Sequence, residues 1–97
     1  MLILRTLERH GKLHGFELAE SIERATSDLL RVEEGSLYPA LQRMLIKGLI
    51  TGVWGHTGEN RRARYYSLTA AGRRHLAERV AEYHAVSAAI AAILKPA

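Results

Sequence analysis

Gly35-Ser-Leu-Tyr-Pro-Ala-Leu-Gln-Arg-Met-Leu-Ile-Lys-Gly-Leu49 is the stretch from which the rest of the chain can be read. At helical period its apolar residues Leu37, Leu41, Met44 and Leu45 fall at i, i+4, i+7 and i+8, one stripe of an amphipathic helix. Ser36, Pro39, Gln42 and Arg43 fall on the other side, with Tyr38 on the border. Gly48 allows a left-handed stop. Pro39 is tolerated most easily in a first turn, so the regular helix is expected to start close to Gly35 or Ser36. Glu33 and Glu34 then lie where acidic charge suits the helix dipole. Beyond Glu34 the outward face is short polar, aromatic and cationic, with no acid. Such a face suits a groove lined with phosphates and base-edge acceptors.

The segment after this helix strengthens that reading. Ile50 to Trp54 is β-prone, Gly55 to Asn60 is a polar loop, and Arg61 to Leu68 is a second strand with a basic start. Together they predict a hairpin with a long tip. Arg61, Arg62 and Arg64 cluster where the hairpin leaves that tip, within reach of a nucleic-acid backbone. Tyr66 shares a strand face with Leu68 and is expected in the core, and Tyr65 takes the opposite face. Trp54 reads as a packing residue. Thr69 offers an N-cap oxygen to the amides near Gly72, and a helix runs on to about Leu94, with Pro96 just beyond.

Upstream, Met1 to Arg9 reads as a helix closed by Gly11, and Lys12 to Gly15 as a connection. A second helix runs from about Phe16 to Ala25, with Leu18, Ala19 and Ile22 inward. Thr26-Ser27-Asp28 is turn chemistry. Leu30 and Val32 alternate with Arg31, the pattern of a short strand. The whole is α+β and mostly α. Helix, helix, helix, strand, strand is the order of a winged helix-turn-helix, over residues 1–69, in which the third helix enters the major groove and the hairpin flanks it. Residues 70–97 form a long C-terminal dimerisation helix. In it Leu76, Val80, Tyr83, Ser87, Ile90 and Leu94 recur at steps of four and three, an intersubunit seam widened by Val86 and Ile93.

Composition bounds the function. The 97 residues suffice for one small domain, and the formal charge of +4 is compatible with nucleic acid. Without cysteine there are no disulfides or thiolate metal sites. No apolar run approaches the roughly 20 residues of a membrane span, so a cytoplasmic protein is the default. The five histidines lack metal-ligand spacing. No nucleophile–base arrangement, carboxylate pair or phosphate-binding glycine loop appears, so neither catalysis nor a cofactor is expected.

Several blocks resemble the PadR family of bacterial transcriptional regulators: Leu13-His-Gly-Phe-Glu-Leu-Ala19, Gly35-Ser-Leu-Tyr-Pro-Ala-Leu41, Gly48-Leu-Ile50, and Arg64-Tyr-Tyr-Ser-Leu-Thr69 with Gly72. The resemblance implies a DNA-binding winged helix, a C-terminal helix that dimerises, and usually a repressor. It also implies, for some members, release by a small aromatic effector between the subunits. By analogy Ser36, Tyr38, Pro39, Gln42 and Arg43 lie on the recognition helix, and Arg61, Arg62 and Arg64 on the wing. A homodimer then faces double-stranded DNA carrying an inverted-repeat operator. Members usually carry more residues before the Leu2-Ile-Leu4 block, and often tryptophan where Tyr83 stands. The competing reading is a small-molecule-sensing or protein-interaction winged-helix module with little DNA affinity.

Overall fold

The structure, a computed structural model, describes residues 1–96, so Ala97 of the C-terminal segment lies outside the described residues. The elements come in the order α1 (Leu2–His10), β1 (Lys12–His14), α2 (Gly15–Ala25), α3 (Glu34–Ile46), β2 (Ile50–His56), β3 (Arg62–Leu68) and α4 (Ala70–Leu94). The three strands form one antiparallel sheet in the order β1-β3-β2. This is the winged helix-turn-helix arrangement expected from the sequence, α+β and mostly α.

The expected stripe of α3 points inward as Leu37 and Leu41, both buried, with Met44 and Leu45 packed beside them. Buried side chains from every helix and from both hairpin strands meet there: Leu4, Leu7, Leu18, Ile50, Tyr66 and Leu76. Removing a leucine of this kind from water is worth roughly 1.5–3 kcal/mol. The C-terminus of α3 closes as a Schellman motif. Gly48, at φ 73°, donates to the Leu45 carbonyl, and the Leu49 amide donates to that of Met44. Gly takes that left-handed position at no steric cost.

Three expectations are corrected. First, the third strand is Lys12–His14, not Leu30 to Val32. Lys12, Leu13 and His14 pair with Ser67, Tyr66 and Tyr65, and this places Leu13 against the core. Leu30 to Val32 is irregular and pairs with none of the three strands. Val32 packs against the core, whereas Arg31 reaches back to Glu23 at 3.0 Å. Second, Pro39 lies in the interior of α3, beyond its first turn. The helix loses one amide donor, and the acceptor it would have used belongs to Gly35, which is exposed. Third, β2 continues to His56, so the hairpin tip is short. Thr57 organises it. Its amide donates to Arg61, its carbonyl accepts from Asn60, and its hydroxyl accepts from the amides of Glu59 and Arg61. Asn60 takes the left-handed conformation (φ 61°) that such a hairpin closure needs.

α4 leaves the domain. Gly72 and Leu76 are buried and Val80 packs against the core, but beyond Val80 every described residue except Ser87 is exposed. A 25-residue helix is about 37 Å long. It gives the chain a long axis of 58 Å against 29 and 22 Å. Among the described residues no helix is long and apolar enough to cross a membrane.

Candidate nucleic-acid interface

The exposed side of α3 is made of Ser36, Pro39, Gln42 and Arg43, with Tyr38 half exposed, as the periodicity requires. Ile46 is 77% exposed and lies on the same side. The two flanks of the helix differ. Ser36 borders a groove shared with Leu2, Leu30 and Val32. Tyr38 turns the other way, towards the wing, and lies over the first residue of α2. A Cβ on Gly15 would stand 2.9 Å from its hydroxyl.

The wing arginines are not equivalent. Arg61 is exposed beside the tip. Arg62 is also exposed, and its guanidinium lies 4.6 Å from the centre of the Trp54 ring, a cation–π stack that limits its freedom. Trp54 is therefore not the packing residue expected from the sequence. It is 57% exposed, on the sheet face that carries Arg62 and Arg64. Among the described residues this far end of the hairpin runs past the core, and Trp54 and Arg62 stand exposed on its core-facing side. Arg64 is half-buried and lies 6.0 Å over the Tyr66 ring, and its Nε is buried without a hydrogen-bond partner among the described residues. It fits there because Gly52, across the ladder, has no Cβ to occupy the space. Burial pushes the Tyr66 phenol above its ordinary pKa, while Arg64 pulls it the other way. Tyr66 is neutral at physiological pH and leaves the charge of Arg64 uncompensated. Tyr65, on the opposite face, packs on Gly55 and donates to the His56 carbonyl at 3.3 Å.

α2 meets this surface end-on. His14 is its N-cap and forms a reciprocal capping box with Glu17. The His14 amide donates to the carboxylate at 3.1 Å, and Nδ1 accepts from the Glu17 amide at 3.3 Å. The sequence signal for this helix start is His14-x-x-Glu17, with histidine in the place usually held by serine or threonine. The residues that sequence reasoning missed at this surface, Trp54, His14 and Phe16, line one open concavity between α2 and the wing, with Tyr38 and the three wing arginines.

The residues of α4 expected in an intersubunit seam divide. Leu76 is 2% exposed in its own core and is withdrawn from any intersubunit seam, and Val80 is partly so. The density of the domain around the start of α4 explains this, since Gly72 abuts the Leu49 carbonyl. Tyr83, Ile90 and Leu94 remain as a bare apolar line with Val86 and Ile93 beside it, and Ser87 lies within the line.

The same architecture recurs in solved proteins. A transcriptional regulator from Clostridium thermocellum superposes with a TM-score of 0.87 at 26% identity, over 97% of this chain and 90% of that one. A PadR-like transcriptional regulator from Bacillus cereus gives 0.82 at 27% identity, over 98% and 89%. The fold is also that of Bacillus subtilis PadR in complex with operator DNA, at 0.71 and 24% identity, over 81% of this chain and 44% of that one. The model of the transcriptional regulator PadR-like family matches residues 3–78, which run from α1 into the first turns of α4 and hold every element of the winged helix. With fold and sequence in agreement over that span, the chain belongs to the PadR-like family of transcriptional regulators.

Proposed function

We propose that the protein is a sequence-specific DNA-binding regulator that acts as a homodimeric repressor on an inverted-repeat operator. The observation that carries this reading is that Tyr38 of α3 and the three wing arginines line one open concavity, so the helix and the wing adjoin. The acid-free outward face of α3 stands beside a wing whose three arginines form no ion pair among the described residues. An exposed cationic hairpin next to an exposed polar helix suits phosphates on one side and base edges on the other. The similarity to a regulator solved on its operator supports the same docking.

We assign the roles by position on these elements. Arg43, one turn beyond Pro39, has the fork geometry to take guanine O6 and N7, and Gln42 beside it suits adenine. Ser36 and Pro39 lie on the face that enters the groove. Tyr38, Arg61, Arg62 and Arg64 hold the backbone. The second half of α4 closes the dimer through Tyr83, Ser87, Ile90 and Leu94, and Leu76 stays in the protomer. A twofold axis between two such helices makes the operator palindromic, with half-sites one or two helical turns apart. An aromatic effector, where one acts, takes the space beside Tyr83 between the subunits.

Fluorescence anisotropy of the protein on its own upstream intergenic DNA, over a salt series, tests the reading. Tight binding with a steep salt slope, and much weaker binding to unrelated duplex, is the expected result. Equal weak affinity for both duplexes would refute sequence-specific regulation.

A further inference from the structure

Ile46 ends α3 on the side that carries Pro39, Gln42 and Arg43, and 77% of it is exposed. It takes no part in the core, which its neighbours Met44 and Leu45 pack against. Steps of seven, four and three residues put it on one stripe with Pro39, Gln42 and Arg43, all of them exposed. A lone apolar side chain on a protein surface is ordinary. This one stands on the face that, in the reading above, enters the major groove, beside two side chains able to bond base edges. The turn that bears it is also held. The Lys47 amide donates to the Arg43 carbonyl at 3.0 Å, that of Leu49 to Met44 at 3.0 Å, and the Thr69 hydroxyl fixes the Gly48 carbonyl at 2.7 Å. Isoleucine is branched at Cβ and keeps one strongly preferred χ1 rotamer in a helix. Its methyl groups therefore point in a fixed direction before any partner arrives, and little freedom is lost on contact.

We propose that Ile46 reads the C5-methyl group of a thymine in the major groove and is a specificity-determining residue beside Gln42 and Arg43. The inference rests on the DNA-binding reading above and deepens it. Thymine alone presents a methyl group on the major-groove edge of a base pair. Isoleucine has no donor or acceptor. Set against the acceptors of guanine or the amino group of cytosine, it takes polar atoms from water without replacing their bonds. Set against the methyl group, it removes apolar surface from water on both partners. The rise of the helix sets the place. Ile46 lies three residues past Arg43, about 4.5 Å along the axis, and successive base pairs are about 3.4 Å apart. The thymine therefore lies about one or two base pairs from the one that Arg43 reads, on the side away from Pro39. Each half-site is then read by a guanidinium fork, a carboxamide and an alkyl group in turn.

A methyl-deletion scan tests this. Each thymine of the upstream duplex is replaced in turn by deoxyuridine, which removes the methyl group and keeps the hydrogen bonds of the pair. Anisotropy is then measured for the wild-type protein and for Ile46→Ala. At one position in each half-site the replacement should weaken wild-type binding roughly fourfold, and roughly fifteenfold when both half-sites are changed. Ile46→Ala should bind the unmodified duplex more weakly and be indifferent to deoxyuridine at that position. Its salt slope should be that of the wild type, since no phosphate contact is lost. Ile46→Val keeps the branch and should keep the preference. Because Ile46 is exposed and alanine is the better helix former, the thermal melt of Ile46→Ala should not fall. The same deoxyuridine profile in wild type and Ile46→Ala, or no sensitive position at all, would overturn the proposal and leave the DNA-binding reading intact. So would an equal loss by Ile46→Ala on operator and unrelated duplex, which would put Ile46 against the sugar–phosphate backbone. Failure of the wild-type protein to distinguish its upstream duplex from unrelated DNA would overturn that reading, and this inference with it.

Discussion

Thr69 is bonded to Gly48, in the turn that ends α3. Its hydroxyl donates to the Gly48 carbonyl at 2.7 Å and accepts from the Gly72 amide at 2.9 Å. The same oxygen caps α4 and holds the turn that closes α3, and the Thr69 amide adds a bond to the Leu49 carbonyl at 3.1 Å. One residue therefore ties the helix assigned to DNA reading to the helix assigned to dimerisation. Thr69→Val keeps the shape and removes both bonds of the hydroxyl. We expect a loss of about 1–2 kcal/mol in urea unfolding, the usual cost of an N-cap, together with a loosened preference among operators of different half-site spacing. Unchanged stability would show that the joint is held by packing alone.

Gly72 tests the same joint from the other side. A Cβ there would run into the Leu49 carbonyl oxygen, which is backbone and cannot rotate away. Gly72→Ala should therefore destabilise the domain by roughly 1–3 kcal/mol, although alanine is the better helix former. A thermal melt of the purified variant measures it. Gly35→Ala is the control, since a Cβ at Gly35 meets nothing within 4 Å.

The readable parts of this fold were those with a repeating pattern. The 3.6-residue spacing of Leu37, Leu41, Met44 and Leu45 identified the inward stripe of α3, and Thr69 with Gly72 marked the start of α4. β1 was not legible, because three residues with a single inward side chain, Leu13, carry no period. Its strand character comes entirely from pairing with Ser67, Tyr66 and Tyr65, a tertiary fact. Leu30 to Val32 shows the converse, an alternation that no strand of the sheet pairs with. At the candidate site, the arginines could be picked out by charge. Their different surroundings could not, since the stacking of Arg62 on Trp54 and the burial of Arg64 over Gly52 depend on cross-strand register. Leu76 fits the seam spacing as well as Ile90 does. Only the depth of the domain around the first turns of α4 separates them.

That separation sharpens the assembly prediction. Ile90 and Leu94 are 51% and 75% exposed in the protomer, so charging them leaves its core untouched. Ile90→Glu with Leu94→Glu should give a folded monomer by sedimentation velocity, with a wild-type circular dichroism spectrum. Carboxylates buried without partners would oppose the dimer from both sides of the twofold axis. A dimer that persists in this double variant would place the interface elsewhere.

Arg43 and Arg62 should fail in different ways when removed. Arg43 stands on the exposed face of α3, where a bidentate contact to guanine is worth roughly 1–3 kcal/mol of discrimination against other bases. Arg43→Ala should therefore relax preference at one base position in each half-site. Affinity for unrelated duplex should change little. Arg62 is an exposed arm held over Trp54, and a contact from it to phosphate would carry no sequence information. Arg62→Ala should weaken operator and unrelated DNA by the same factor and lower the salt slope by about 1 per lost phosphate contact, twice that for the dimer. The stack adds a further expectation. Arg62→Lys keeps the charge but loses the planar group that lies on the indole, so it should recover the salt slope without recovering the full affinity. Anisotropy on two duplexes across a salt series separates these outcomes. If Arg43→Ala instead lowers affinity equally for both duplexes with a shallower slope, Arg43 is a backbone clamp and base reading falls to Gln42 and its neighbours on α3.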